Sequence, residues 1–202
     1  REAFRWTQSE GLVGLGDLSG GDYRSEAYRI SPDGTTIVGH SFSTDGSESF
    51  RWTEADGLVG LGDLDGGMCH SVAFDCSEDG QTVVGYGYSA SGQEAYRWTA
   101  AEGMVGLGDL DGGTSSSQAW GISLDDSIIV GFGTTANGEE AFIWDETHGM
   151  RLLQEVLKQD YGVSTEDWVL SRAYSISSDG KVVAGRGINP EGNTEAWVAV
   201  VP

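Results

Sequence analysis

Residues 25–64 read SEAYRISPDGTTIVGHSFSTDGSESFRWTEADGLVGLGDL. The segment SEAYRIS (25–31) runs into an Asp-Gly pair, Asp33-Gly34, which is a tight-turn signal between two extended segments. TTIVGHSF (35–42) follows, and its β-branched residues suit a pleated strand. ESFRWTE (48–54) comes next, and GLVGLGDL (57–64) closes the unit before a Gly-Gly loop. The stretch therefore reads as four short strands, a, b, c and d, joined by turns.

The pattern recurs along the whole chain. Strand c returns as EAFRWT from Glu2, ESFRWT from Glu48, EAYRWT from Glu94, EAFIWD from Glu140 and EAWVAV from Glu195, at steps of 46, 46, 46 and 55 residues. GLVGLGDL stands at 11–18 and 57–64, and returns at 103–110 with Met104 for Leu. Ser-x-Ala recurs from Ser25, Ser71, Ser117 and Ser171. Its turn recurs at Asp33, Asp79, Asp125 and Asp179, and each b segment carries a glycine, at Gly39, Gly85, Gly131 and Gly185. The chain is read as one repeat domain over 1–202: a partial unit at 1–24, then 25–70, 71–116, 117–170 and 171–202.

Antiparallel four-stranded units of 40–50 residues define the blade of a β-propeller, so the fold expected is all-β, a propeller of about four blades. The rival is a β-solenoid with two coils per unit; the hairpin-like register and the absence of the calcium-binding nonapeptide repeat argue against it. Strand c occurs five times and the others four times each, if the last d is taken as helical. A four-bladed ring closed by the N-terminal c–d pair and a partial or intermolecular ring fit this count equally well. The surplus c strand offers an edge for strand addition. A nine-residue insertion begins near Met150, and the helical insertion is set at 150–161. Leu152, Leu153, Val156 and Leu157 share a helical face and Gly162 serves as C-cap, so the helix either replaces strand d or packs over the last blade.

Composition agrees with this architecture. The 202 residues include 32 glycines and only three prolines, which excludes collagen. Glycine has two jobs here, positive φ at turns and close backbone approach inside strands b and d. With 32 acidic and 11 basic residues the net charge is −21, which argues against nucleic acid and anionic membrane surfaces as partners. No apolar run approaches the ~20 residues of a membrane span. No signal peptide is seen, and the first residue is Arg1 rather than Met, which reads as a processed product or a fragment.

The linked motifs EAFRWT, GLVGLGDLxGG and SxAxxISxDGxxIVG resemble the HAF repeat family, a family of extracellular bacterial repeats. The resemblance covers essentially the whole chain. Trp168, Leu170 and the run Gly187–Trp197 look like the last repeat of such proteins. It implies secretion, and Val201-Pro202 stands where the C-terminal sorting signal of some members begins. The family offers no catalytic residues to carry over.

Candidate sites are few. Asp63, Asp65, Asp109 and Asp111 pair carboxylates in carbonyl-rich loops, a set of oxygen ligands for calcium, the only cofactor the sequence offers. Their plainer reading is turn capping, and unit one breaks the pair with Ser19 after Asp17. Phe4 and Trp6 share one face of strand c and Arg5 the other. Arg5, Arg51 and Arg97 are expected to meet carboxylates between blades, and the aromatic face to pack, with a sugar-stacking ladder as its rival use. Cys76 occupies an isoleucine position and reads as buried; with Cys69 seven residues away in extended chain, no disulfide is expected. His40, His70 and His148 form no ligand pattern, and no Ser/His/Asp order, HExxH or phosphate loop is present.

Strand a changes most between units. Glu26 is replaced by Val72, Gln118 and Arg172, and Arg29 by Asp75, Gly121 and Ser175. In a propeller these positions lie near the axis, where ligands bind. Glu26, Arg29, Asp75 and Arg172 are therefore the candidate ligand site, with Arg29 and Asp75 placed to pair across neighbouring blades. The function expected is a non-enzymatic, secreted or cell-surface scaffold with a structural, adhesive or matrix-assembly role. Its partner would be itself, by strand addition, or a surface polysaccharide. The alternative is a carbohydrate-binding or carbohydrate-active propeller with its site on the axis.

Overall fold

A computed structural model describes residues 1–165 and 167–201. The hairpin β1 (Phe4–Thr7) and β2 (Gly11–Gly14) leads into three complete four-stranded units. The first is β3 (Gly20–Ile30), β4 (Thr36–Ser43), β5 (Ser47–Thr53) and β6 (Gly57–Gly60). The second is β7 (Val72–Cys76), β8 (Thr82–Ser89), β9 (Gly92–Thr99) and β10 (Gly103–Gly106). The third is β11 (Gly112–Ile122), β12 (Ile129–Thr135), β13 (Gly138–Asp145) and β14 (Gly149–Leu152). A short helix, α1 (Leu153–Gln159), precedes the three-stranded unit β15 (Val169–Ile176), β16 (Val182–Ile188) and β17 (Thr194–Val200).

Within every unit the strands pair antiparallel in chain order, as hairpin turns dictate. Parallel pairing is confined to single positions between units, Ser116 with Gln93 and Ser47 with His70. That excludes the solenoid, whose coils stack in parallel. First strands of successive units contact one another, β3 on β7, β7 on β11 and β11 on β15, so they form the inner wall from which the blades fan out. The N-terminal hairpin and the last unit remain separate sheets, so β1 and β2 do not complete the final blade.

The turn chemistry read from the sequence is present. Ser31 donates to Asp33 at 2.6 Å while its hydroxyl accepts the N–H of Thr36, and Ser77, Ser123 and Ser177 repeat both bonds. At the third turn Asp126 takes the left-handed conformation, φ 55°, that glycine takes in the others. In strand b the glycines are close-approach residues as expected. A Cβ on Gly39, Gly85, Gly131 or Gly185 would overlap the carbonyl oxygen of Glu26, Val72, Gln118 or Arg172. Strand d differs from expectation: beside Gly14, Gly60 and Gly106 the space is filled by the carboxylates of Glu2, Glu48 and Glu94 rather than by backbone. Each carboxylate accepts the N–H of the glycine two residues on, at 3.1, 2.9 and 3.0 Å, which explains the recurring Glu of EAFRWT.

Ser-x-Ala is a latch between units. Ser71 accepts the N–H of Ser49 and donates to the carbonyl of Gly62, both at 2.9 Å; Ser25 and Ser117 make the same pair of bonds. The apolar core is likewise divided, with one cluster at each junction between units. Ala3 and Leu15 meet Ile37 and Phe50; Val38 and Leu61 meet Ala73, Cys76 and Val83; Val84, Ala95 and Leu110 meet Ala119, Ile122, Ile129 and Phe142. Cys76 is buried in place of isoleucine, which pushes its thiol up to about 12, and both cysteines are free.

The insertion corrects the sequence reading. Gly149–Leu152 continues the hairpin register against Phe142–Asp145 as a fourth strand d, and the helix begins only at Leu153. Leu153, Val156 and Leu157 then bury between the third unit and the last, while Leu152 stays on the strand. The C-cap is Asp160, not Gly162: its N–H donates to the Val156 carbonyl at 3.0 Å, and Gly162, at φ 68°, turns the chain two residues later, where the Val163 N–H reaches the Leu157 carbonyl at 2.9 Å. Pro202, part of the expected sorting signal, lies outside the described residues.

Candidate functional site

The inner wall carries the four candidate ligand residues, and the structure separates them into three sets. Arg29 Nε lies 2.9 Å from Asp75 Oδ1 in the neighbouring unit. Asp75 also accepts the N–H of Cys76 at 2.9 Å and that of Ile122, one unit further on, at 3.2 Å. Burial pushes the Asp75 carboxyl above its ordinary value, against the pull of Arg29 and the two amides. Glu26 stands apart. It is gripped by Arg24 at 2.8 Å and by Arg1 at 3.2 Å, and the Arg24 hydrogen bond holds it down at about 2. Arg172 forms a bidentate pair with Glu139, its Nε at 2.6 Å from Oε2, and lies over the Phe132 ring at 4.1 Å. These groups are tied to one another in pairs and do not converge on a common point.

Between the polar pairs the wall holds a feature that the strand-a comparison missed. Tyr28, Phe74, Trp120 and Tyr174 occupy one position of each first strand. In every case the register slips there: Ala27 opposes Gly39 and Arg29 opposes Val38, leaving Tyr28 as the extra residue of a β-bulge. Phe74, Trp120 and Tyr174 sit in the same bulge of their units. A bulge re-aims the side chain it carries, and here the four rings run in series along the wall. Centroids are 5.8 Å apart from Tyr28 to Phe74, 4.4 Å from Phe74 to Trp120, and 5.4 Å from Trp120 to Tyr174. Rings from second strands extend the surface, His40 stacked on Tyr28 at 5.6 Å and Tyr86 against Phe74 at 5.7 Å. The available signal was an aromatic at the same place in SEAYRIS, SVAFDCS, SQAWGIS and SRAYSIS.

Polar groups border this row. His70 and the Tyr86 hydroxyl are 3.3 Å apart, Gln118 donates to Gln93 at 2.9 Å, and Trp120 Nε1 donates to Gln118 at 3.0 Å. Burial lowers the pKa of both His40 and His70, favouring the neutral imidazole, and His40 Nδ1 has no hydrogen-bond partner.

Asp109 caps its loop, accepting the N–H groups of Leu110 and Ser116 at 2.9 Å each. Asp63 interacts with the Cys69 thiol, while Asp65 and Asp111 are exposed. Among the described residues no three His, Cys, Asp or Glu side chains converge where a metal ion could sit. The strand-c arginines divide. Arg5 reaches Glu54 of the next unit at 3.2 Å, as expected, but also Glu10 of its own hairpin at 2.6 Å. Arg51 donates to the Gly80 carbonyl across the junction and Arg97 pairs only with its own Glu102. The reason is local: each hairpin turn returns an acid, Glu10, Asp56 or Glu102, opposite the arginine of the same hairpin.

An antiparallel fan of blades around an inner wall is a β-propeller architecture, and comparison with solved structures agrees. The chain is similar to TolB of Acinetobacter baumannii, at 13% identity and a TM-score of 0.58, over 96% of this chain and 45% of that one. It is also similar to a TolB-like protein of Agrobacterium tumefaciens, at 15% identity and a TM-score of 0.59, over 98% of this chain and 64% of that one. The chain thus spans about half to two thirds of the length of these structures, and the likeness is one of fold. No protein-family model and no curated protein matches the sequence.

Proposed function

We propose that the protein is a non-enzymatic β-propeller scaffold of the bacterial exterior, with about four blades per copy, which assembles head to tail through its two open flanks. One observation carries the reading. In each inner unit the face bearing the strand-c aromatics packs on the preceding unit: Phe50, Tyr96 and Phe142 are fully buried. In the N-terminal hairpin the counterpart Phe4 is 56% exposed, and Trp6, whose counterparts Trp52, Trp98 and Trp144 are half-buried, is 65% exposed. At the other end the opposite face is bare: Ala3, Ala95 and Ala141 are buried, but their counterpart Ala196 is exposed, and Val198 beside it is 68% exposed. A cleft of about 530 Å³ opens on this face, lined by Leu157, Trp168, Leu170, Trp197 and Val198.

Every internal junction joins the second kind of face to the first. The two flanks are therefore complementary, and the contact between copies is heterologous, giving a ring or an open filament. Exposed apolar area of this kind marks an interaction surface. The outer edge of β17, paired to no further strand among the described residues, adds backbone groups to the flank. Pairing of the inner-wall charges supports the non-enzymatic part, and the HAF-type motifs support the exterior setting. Sedimentation velocity over a range of concentrations tests it. Species larger than one chain are expected, and a single monomeric boundary at all concentrations overturns the reading.

A further inference from the structure

We propose that the row Tyr28, Phe74, Trp120 and Tyr174 is a binding platform for an uncharged polysaccharide chain. A lone aromatic on a strand is packing, but four in ring-to-ring series across four units make a continuous strip. Tyr28 is 47% exposed and the other three are half-buried, so the strip offers aromatic surface to solvent. The β-bulge that aims each ring recurs in all four first strands, so the strip is built by the backbone and not by one rotamer.

Charge decides the class of occupant. The carboxylates nearest the row, Glu26, Asp75 and Glu139, are each paired with arginine, which disfavours a cationic ligand there. A polyanion is opposed by the net charge of −21. What fits is a ligand with apolar faces and uncharged hydrogen-bonding edges. A pyranose ring presents C–H faces that stack on aromatic planes, and its hydroxyls both donate and accept. The border supplies the matching groups, the Gln93 and Gln118 amides and the Tyr86 hydroxyl, all with hydrogen-bonding capacity beyond the bonds they make. His40 Nδ1, buried and unpartnered beside the Tyr28 ring, adds a further polar group. A row that crosses four units suits a chain of sugars better than a single ring.

Affinity electrophoresis in native gels tests the proposal, with dextran, galactomannan and hydroxyethylcellulose as neutral probes and polygalacturonate as the anionic one. Retardation by at least one neutral polymer is expected. Trp120→Ala should weaken it about tenfold, the loss of one good stacking contact, while Val105→Ala on the outer strand β10 leaves it unchanged. Should Trp120→Ala fail to fold by circular dichroism, Tyr28→Ala, at the most exposed ring of the row, reads the same loss. No retardation by any neutral polymer overturns the proposal. So does retardation unchanged in both aromatic variants, or retardation by polygalacturonate alone. The outcome is independent of assembly, since a monomer carries the complete row.

Discussion

Arg29 and Asp75 join neighbouring blades through a 2.9 Å ion pair, and the same carboxylate reaches a third blade at the Ile122 amide. Asp75 is buried, whereas the Arg29 side chain is 54% exposed. The two partners should therefore respond unequally to removal. Asp75→Ala strips an acceptor from two backbone N–H groups and is expected to cost about 2–3 kcal/mol in urea unfolding. Arg29→Ala leaves both amide bonds in place and should cost about 1 kcal/mol at neutral pH. Its cost has a sign in pH: Asp75 already sits above its ordinary value through burial. A carboxyl so raised favours folding when protonated, so the penalty of losing Arg29 shrinks on acidification through the folded pKa. A cost that grows toward acid refutes this account.

Glu26 should behave in the opposite way. Arg24 holds it at about 2, below its ordinary 4.5, so it stabilises the fold above the usual carboxylate range and loses that contribution as pH falls toward 2. Glu139, lowered by Arg172, adds to the same acid limb. In Arg24→Ala the Glu26 carboxyl should titrate nearer the usual range, as followed by NMR, and the acid limb should flatten. An unmoved midpoint would show that Arg24 is not the cause.

The strand-b glycines are space requirements, and the turn glycines are conformational ones. Gly85→Ala would drive a methyl into the Val72 carbonyl and is expected to cost about 3 kcal/mol, the upper range for overpacking. Gly103, at φ 74° with open space around its Cβ position, should cost about 1 kcal/mol as alanine. Equal losses in thermal melts would contradict the distinction.

These glycines show how the sequence spoke. The period, the a–b–c–d order and the Asp-Gly turns were all legible, because hairpin turns and close approaches demand particular residues. Two things were not. The bulge at Tyr28 breaks the two-residue alternation, and the comparison of strand a between units singled out the positions that change, Glu26 and Arg29, and passed over the aromatic that every unit keeps between them. The start of the helix was hidden because Gly149–Leu152 satisfies both patterns, and pairing with Phe142–Asp145 decided it.

The Ser-x-Ala latch offers a comparison within one molecule. Ser71→Ala removes the acceptor of the buried Ser49 N–H and the donor to Gly62 at one stroke, and should cost about 2 kcal/mol. Ser171, its counterpart in the last unit, makes neither bond, and Ser171→Ala should lie within about 0.5 kcal/mol of the parent. Similar melting shifts for the two would mean that the hydroxyl contributes through strand propensity rather than as a latch.

The flanks can be tested against each other by charge. Trp6→Arg places a cation on the N-terminal flank, and Val198→Arg places one on the C-terminal flank; each alone should abolish assembly, because a buried unpaired charge is not tolerated at an apolar junction. Combining Trp6→Arg with Val198→Glu sets opposite charges face to face if the two flanks meet, and assembly should partly return in sedimentation. A strand-addition contact through the β17 edge alone would leave Trp6→Arg without effect. The double variant therefore decides whether copies join by their faces, as the internal blades do, or by a free edge.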